Sequence, residues 1–221
     1  RELPAFNMYT EVIQNSVVDL MLEGRIGFAT GSSLTLSEEK LDAVYGHMDV
    51  LGKRLLLRPQ EITNHPELIR RLGVIAINTA LEADICGNVN STHVLGNRMM
   101  NGIGGSADFS RNAFLSIFTT PSTAKGGLIS AIVPQVTHVD STEHDVRILV
   151  AEQGVADLRG KSPLQRARCI IENCAHPDYK ELLWDYLKRA TGCHTPFLLD
   201  EAFALHRAFR QNGDMRTATF G

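Results

Sequence analysis

Asn101-Gly102-Ile103-Gly104-Gly105-Ser106-Ala107-Asp108 is a glycine cluster with polar residues at both ends and apolar runs on either side. Three glycines within four positions let the backbone take positive φ and approach a bound group closely. N–H groups gathered in such a turn can hold an anion or an oxyanion. The same cluster also reads as an ordinary turn, so the surrounding chain has to decide.

Toward the N-terminus of the cluster, Val74 to Ile77 read as a strand and Ala83 to Asn90 as extended chain leading to His93. After it, Ala107 to Asn112 read as a helical turn or two, Phe114 to Thr119 and Leu128 to Val133 as strands, and Pro121 to Gly127 as a turn carrying Lys125. Val146 to Val150 form the next strand, which Glu152 to Gly160 leave as a polar turn, and Ser162-Pro163 open a helix through about Glu172. Glu181 to Ala190 and Asp200 to Gln211 fit amphipathic helices, with Trp184, Tyr186, Leu187, Phe203, Leu205 and Phe209 as packing residues, and Asn212 to Gly221 read as a peripheral tail.

At the other end, Thr10 reads as an N-cap with Ile13, Val17, Leu20 and Met21 following at helical spacing to Gly24, which puts Glu11 in the first turn. Position alone makes Glu11 a helix-end charge. Ile26 to Ala29 and Leu55 to Leu57 read as strands and Leu36 to Tyr45 as a helix; Asn64 reads as the cap of a helix with Pro66 in its first turn and Gly73 at its stop. Strands separated by helices predict an α/β fold with a mixed, partly parallel sheet covered by helices, and the short connections after Phe114 predict that part of the sheet is antiparallel.

Composition narrows the class. A chain of 221 residues with no linker or charge run is expected to form one large α/β domain. A net charge of −3 gives no electrostatic reason for nucleic-acid binding, and no apolar run has the length of a membrane span. A cytoplasmic protein is expected, with the mitochondrial matrix as the alternative. Arg1-Glu2-Leu3-Pro4 reads as the interior of a longer polypeptide, so a fragment or processed half is expected. Cys86, Cys169, Cys174 and Cys193 contain no CxxC pair, which argues for reduced thiols rather than a disulfide scaffold. Cys174 with His176, and His138-Val139-Asp140 with Glu143-His144-Asp145, superficially resemble metal-ligand spacing, but charged loops explain them as well, and no metal is expected. The glycine cluster lacks the spacing of a dinucleotide fingerprint and no GK[ST] follows it, which disfavours nicotinamide and P-loop nucleotides.

Several stretches taken in order carry more than pattern: Tyr9 to Gln14 (YTEVIQ), Thr63 to Glu67 (TNHPE), Gly87 to Thr92 (GNVNST), Met99 to Ser106 (MMNGIGGS), Glu143-His144-Asp145 and Glu152 to Gly160 (EQGVADLRG). Together they resemble the acetyl-CoA hydrolase/transferase family, over nearly the whole chain but thinning after about Tyr186. The resemblance implies the C-terminal half of a class I CoA-transferase with a NagB/RpiA-like fold, acting on a short-chain acyl-CoA and a carboxylate, with no permanently bound cofactor and with coenzyme A as substrate; the alternatives are an acyl-CoA hydrolase and a CoA-binding half that is inactive without its partner domain. It further implies a homodimer completed by an N-terminal half that supplies a CoA-binding loop. By the same resemblance Glu11 is the glutamate that becomes covalently acylated, Asn64 donates to the glutamyl carbonyl, and Gly105 N–H donates to the thioester oxygen. The CoA contacts fall at Asn101, Gly104, Gly105 and Lys125. These residue types suit the chemistry, since a carboxylate can attack a thioester and each tetrahedral centre needs donors for its oxyanion.

Overall fold

The computed structural model describes residues 4–190, 192 and 194–221; Arg1 to Leu3, Thr191 and Cys193 lie outside the described residues, and with them the reading of the first residues as chain interior and of the Cys193 thiol. The described chain falls into two compact units divided between Val74 and Ile75.

In the first unit, β1 (Phe6–Tyr9) leads through Thr10 and Glu11 into β2 (Val12–Gln14) and α1 (Asn15–Leu22). β3 (Ile26–Gly31), β4 (Ser33–Thr35), α2 (Glu38–Gly46), α3 (Met48–Leu51), β5 (Leu55–Leu57), α4 (Gln60–Thr63) and α5 (Pro66–Arg71) follow. β3 lies between β1 and β5, all parallel, and β2 pairs in parallel with β4. Val17, Val18 and Met21 on one face of α1 close a core with Ile13, Ile26, Ala29, Val44 and Leu51.

Two sequence readings are corrected here. The first helix does not start at Thr10, because Val12 to Gln14 pair with Ser33 to Thr35 as a strand; Ile13 fits the helical spacing but reaches the core from β2. Asn64 does not cap α5 but terminates α4. The cap is His65, whose Nδ1 accepts from the Glu67 N–H at 3.3 Å, with Pro66 at the first helical position where its missing N–H costs nothing. His176-Pro177 repeats the device.

In the second unit, β6 (Ile75–Thr79), β7 (Glu82–Asp84), β8 (Val89–Asn90), β9 (His93–Val94) and β10 (Arg98–Met99) precede the glycine cluster and α6 (Ser106–Asn112). β11 (Leu115–Thr119), β12 (Thr123–Ala124), β13 (Ile129–Ser130), β14 (Ile132–Val133), β15 (Ile148–Ala151) and β16 (Gly154–Asp157) follow, then α7 (Pro163–Cys174), α8 (Pro177–Arg189) and α9 (Ala204–Asn212). The main sheet runs β16-β15-β11-β6, with β15, β11 and β6 parallel and β16 antiparallel. The mixed, partly parallel sheet expected from sequence is present, and its antiparallel strand β16 lies after Phe114, while outside this sheet β7 with β8 and β9 with β10 pair antiparallel before Phe114.

Strand alternation decides what each face meets. Phe118, Leu149 and Ala156 point to the face that α7 covers with Ala167, Ile170, Ile171 and Cys174, while Ile75, Ile77 and Val155 are exposed. α7 starts where Ser162 and Gln165 form a reciprocal capping box. The Glu152 to Gly160 stretch is not only a polar turn: Gly154 to Asp157 form β16, since its apolar Val155 and Ala156 pair with Val150 and Leu149.

The tail also differs from expectation. Met215 is 1% exposed and Ala218 is buried. The Met215 N–H donates to the Leu128 carbonyl at 3.0 Å, and its sulfur accepts from the Ser130 N–H at 3.3 Å. Phe203, in contrast, is 40% exposed and does not join the core. Cys86, Cys169 and Cys174 are free thiols, and no helix among the described residues is long and apolar enough to cross a membrane. Met215→Ala is expected to destabilise the protein by about 2–5 kcal/mol in denaturant unfolding; a change below about 0.5 kcal/mol would return the tail to the periphery.

Candidate functional site

Glu11 sits where the chain leaves one strand pairing for another. Thr10 N–H still continues the β1 ladder, donating to the Thr30 carbonyl at 3.0 Å, and two residues later β2 has joined β4. The neighbouring chain turns at the same place, from β3 through Ser32 into β4. The Glu11 carbonyl stitches the two crossings together, accepting from the Ser32 N–H at 2.7 Å, the Ser33 N–H at 3.3 Å and the Ser32 hydroxyl at 2.7 Å. Gly31 permits this approach: a Cβ there would lie 3.1 Å from the carbonyl oxygens of Thr10 and Glu11 and from Ile13 Cγ1. The result places the Glu11 carboxylate, half-buried, outside the carboxyl ends of parallel strands, where open α/β sheets place their ligands.

The segment after β5 closes over this point. Arg58 N–H donates to the Gly31 carbonyl at 2.9 Å, and Tyr9 hydroxyl donates to the Ile62 carbonyl at 2.9 Å. Gln60 Nε2 donates to Glu11 Oε1 at 3.0 Å. Asn64 lies one helical turn beyond Gln60, to whose carbonyl its N–H donates at 2.8 Å, so the two amides share a face of α4. Asn64 is 8% exposed, and its Oδ1 accepts from the Thr63 hydroxyl at 3.2 Å, which leaves the Nδ2 end to present as a donor. The structure thus brings Glu11 and α4 together. Sequence reasoning missed Gln60, Ser32 and Tyr9: Gln60 meets Glu11 across 49 residues of chain, and no local spacing announces that pairing.

In the second unit the glycine cluster is a loop between β10 and α6. Gly104 is left-handed at φ +54°, and Gly105, buried, stands immediately before the first residue of α6. Asn101 is exposed, and its Nδ2 donates to the Ser91 carbonyl at 3.3 Å. Lys125 is also exposed, with φ +50° and Nζ 5.2 Å from the Phe209 ring centroid, within cation–π range.

Two anchors hold the Lys125 turn. Tyr179 hydroxyl donates to the Gly127 carbonyl at 2.7 Å. At the other end Glu152 accepts from the Ser122 hydroxyl and from its N–H at 2.8 Å. The Ser122 hydroxyl, chiefly, holds the Glu152 carboxyl down to about 2. The EQGVADLRG stretch therefore has a structural task at its first residue.

The histidine-rich motifs resolve into loop pairing. His138 Nε2 lies 3.4 Å from Asp140, Asp145 pairs with Arg111, and Glu143 N–H donates to Asn88 Oδ1 at 3.0 Å. The Cys174 thiol is buried and directed at the Leu149 carbonyl, while His176 caps α8. Among the described residues no three His, Cys, Asp or Glu side chains gather to hold a metal.

Beneath the GNVNST stretch lies Asp84, fully buried. Its Oδ1 accepts from the N–H groups of Cys86, Gly87 and Asn88, at 3.0, 2.9 and 2.9 Å, and its Oδ2 from Asn88 Nδ2 at 2.9 Å. Burial outweighs these donors and pushes the carboxyl up to about 6.

Residues 41–187 match the family described as acetyl-CoA hydrolase/transferase C-terminal domain. The chain is 56% identical, over 213 residues, to the propanoyl-CoA:succinate CoA transferase of Escherichia coli K12, covering 96% of this chain and 43% of that protein. It is 50% identical to the acetyl-CoA hydrolase of Saccharomyces cerevisiae S288c, covering 95% of this chain and 42% of that protein. The chain thus spans about two-fifths of the length of the curated relatives it matches. Among solved structures, RipA from Yersinia pestis superposes with TM-score 0.73 at 30% identity, over 83% of this chain and 44% of that one. The 4-hydroxybutyrate CoA-transferase from Porphyromonas gingivalis does so with TM-score 0.67 at 27% identity, over 84% and 46%.

The Asp84 environment has a titration consequence. The unfolded carboxyl titrates near its ordinary 3.8 and the folded one near about 6, so between these values the native state holds more protons and Asp84's contribution to stability falls as pH rises. The stability advantage of the wild type over Asp84→Asn is therefore expected to be larger at pH 4 than at pH 7 in urea titrations; an advantage that grows with pH would contradict the burial argument.

Proposed function

This chain belongs to the acetyl-CoA hydrolase/transferase family, and from that premise we propose that its two units act as the C-terminal catalytic domain of a CoA-transferase. The reaction moves CoA between a short-chain acyl-CoA and a carboxylate such as acetate, succinate or propionate. The observation that carries the reading is the Glu11 carboxylate, outside the carboxyl ends of the parallel strands with its backbone pinned by Ser32 and its side chain met by Gln60.

A Glu11 oxygen attacks the thioester carbon, the carbon–sulfur bond breaks, and CoA leaves as a thiolate, giving a mixed anhydride. The thiolate then attacks the glutamyl carbonyl, expelling the acyl group as its carboxylate and leaving a glutamyl-CoA thioester. An incoming carboxylate reverses both steps and departs as the new acyl-CoA, with Glu11 restored. The acyl bond energy passes from thioester to anhydride to thioester, so the sequence needs no ATP. Asn64 Nδ2 donates to the glutamyl carbonyl oxygen and Gly105 N–H to the thioester oxygen. Lys125 supplies a point charge for a CoA phosphate, and Asn101 and Gly104 line the CoA path. Gln60, absent from the sequence reading, orients the nucleophile.

The proposed assembly is a homodimer in which an N-terminal half of the same enzyme completes the CoA site. The proposed compartment is the cytoplasm, with the mitochondrial matrix as the alternative. Hydrolysis is the second reading, favoured by the relatives named acetyl-CoA hydrolase: water would then resolve the glutamyl intermediate. Thioester loss followed with and without added acetate or succinate separates the two. Acceleration by carboxylate, with an equal amount of new acyl-CoA formed, is expected; identical rates would mean hydrolysis. Asn64→Ala is expected to lower kcat by about 10²–10³ if it serves an oxyanion, and a loss confined to KM would remove it from that role.

A further inference from the structure

The GNVNST stretch has no part in the chemistry above, yet its polar groups are densely hydrogen-bonded. Asn90 is fully buried. Its Oδ1 accepts from the N–H groups of Thr92 and His93 at 3.1 and 2.9 Å, and its Nδ2 donates to Glu82 Oε1 at 2.9 Å and the His93 carbonyl at 2.7 Å. Glu82 is itself fixed, accepting from the Thr137 N–H and hydroxyl at 2.8 and 2.7 Å and meeting His206 Nε2 at 2.8 Å. From the other side Asp140, with a side chain 6% exposed, accepts through Oδ2 from the Ser91 N–H and the Thr92 hydroxyl, both at 2.8 Å.

The turn so clamped carries the start of the glycine loop. The Thr92 carbonyl receives the N–H groups of Met100 at 2.7 Å and Asn101 at 3.3 Å, and the Ser91 carbonyl receives Asn101 Nδ2. Every link from Glu82 and Asp140 to Asn101 is therefore a direct hydrogen bond. Gly102 and Gly104 give the loop little stiffness of its own, so its position depends on where it is tied. We propose that Asn90 and Asp140 are positioning residues: by fixing the Ser91–Thr92 turn they set the place of the Asn101–Gly105 loop for catalysis. This rests on the reading of Gly105 as an oxyanion donor, for which displacement by about 1 Å can cost on the order of 10²-fold in rate.

The test uses the full-length polypeptide, comparing wild type, Asp140→Ala and the milder Thr92→Val, which removes the hydroxyl donor to Asp140 together with its 2.7 Å contact to His93 Nδ1 and leaves the Ser91 N–H bond to Asp140 in place. Hydrogen exchange read by mass spectrometry and steady-state kinetics are measured on each. Exchange in peptides spanning residues 91–105 is expected to rise by about tenfold or more, with peptides over β11 and α7 unchanged. In the same variants kcat is expected to fall by about tenfold or more while the KM for acyl-CoA stays within about threefold. Thr92→Val should move both quantities in the same direction by less, and it carries the test if Asp140→Ala does not fold. Exchange rising equally across the whole unit, or a loosened loop with unchanged kcat, would overturn the proposal. If the wild type shows no transfer, the functional reading fails instead, and a loop exchange unchanged in both variants would overturn the clamp on its own.

Discussion

The close passage of two backbones at Gly31 is the constraint on which the proposed chemistry of the first unit depends. Because no side chain stands between them, the Glu11 carbonyl can take three donors from Ser32 and Ser33, and both chains change strand partners at one point. A nucleophile needs a fixed approach more than it needs raw basicity. Here the Glu11 backbone is fixed through its carbonyl, and its side chain meets Gln60. A Cβ at position 31 would lie 3.1 Å from both carbonyl oxygens, so any other residue would require the two strands to give by a few tenths of an ångström.

The second unit holds its glycine loop, the proposed source of the oxyanion donor, differently. The glycine cluster has the backbone freedom that a close approach to substrate requires, and the same freedom would let it drift. The buried Glu82, Asn90 and Asp140 side chains answer that by tying its first residue to a turn whose own polar groups are satisfied. Likewise the Lys125 turn is held by Glu152 at one end and Tyr179 at the other. Polar groups out of water that keep their partners give a segment one geometry, because any displacement leaves a donor or acceptor unpaired.

Much of this was legible in the sequence. The parallel strands, the helix opened by Ser162-Pro163 and the antiparallel return after Phe114 all announce themselves through local apolar pattern and capping. What local pattern could not show was pairing at a distance. Ile13 kept perfect helical spacing with Val17 and Met21 and yet belongs to a strand, because its partner Leu34 lies 21 residues away and outweighs the local preference. Asn64 reads as a cap one residue early, since an asparagine caps more often than the histidine that does so here. Met215 looked peripheral in a polar tail because only the folded chain brings it to Ser130 and Leu128. Glu11 was legible as a site residue only through the family resemblance; its partner Gln60 carried no signal at all, and that contact had to be seen.

The central claim is that Glu11 is the group that carries CoA. Incubating the full-length polypeptide with acyl-CoA, digesting it and reading the peptide that spans Tyr9 to Gln14 by mass spectrometry tests this most directly. The account predicts CoA mass on Glu11, lost when a carboxylate is added and absent in Glu11→Gln; an adduct on another residue, or steady turnover in Glu11→Gln, would contradict it.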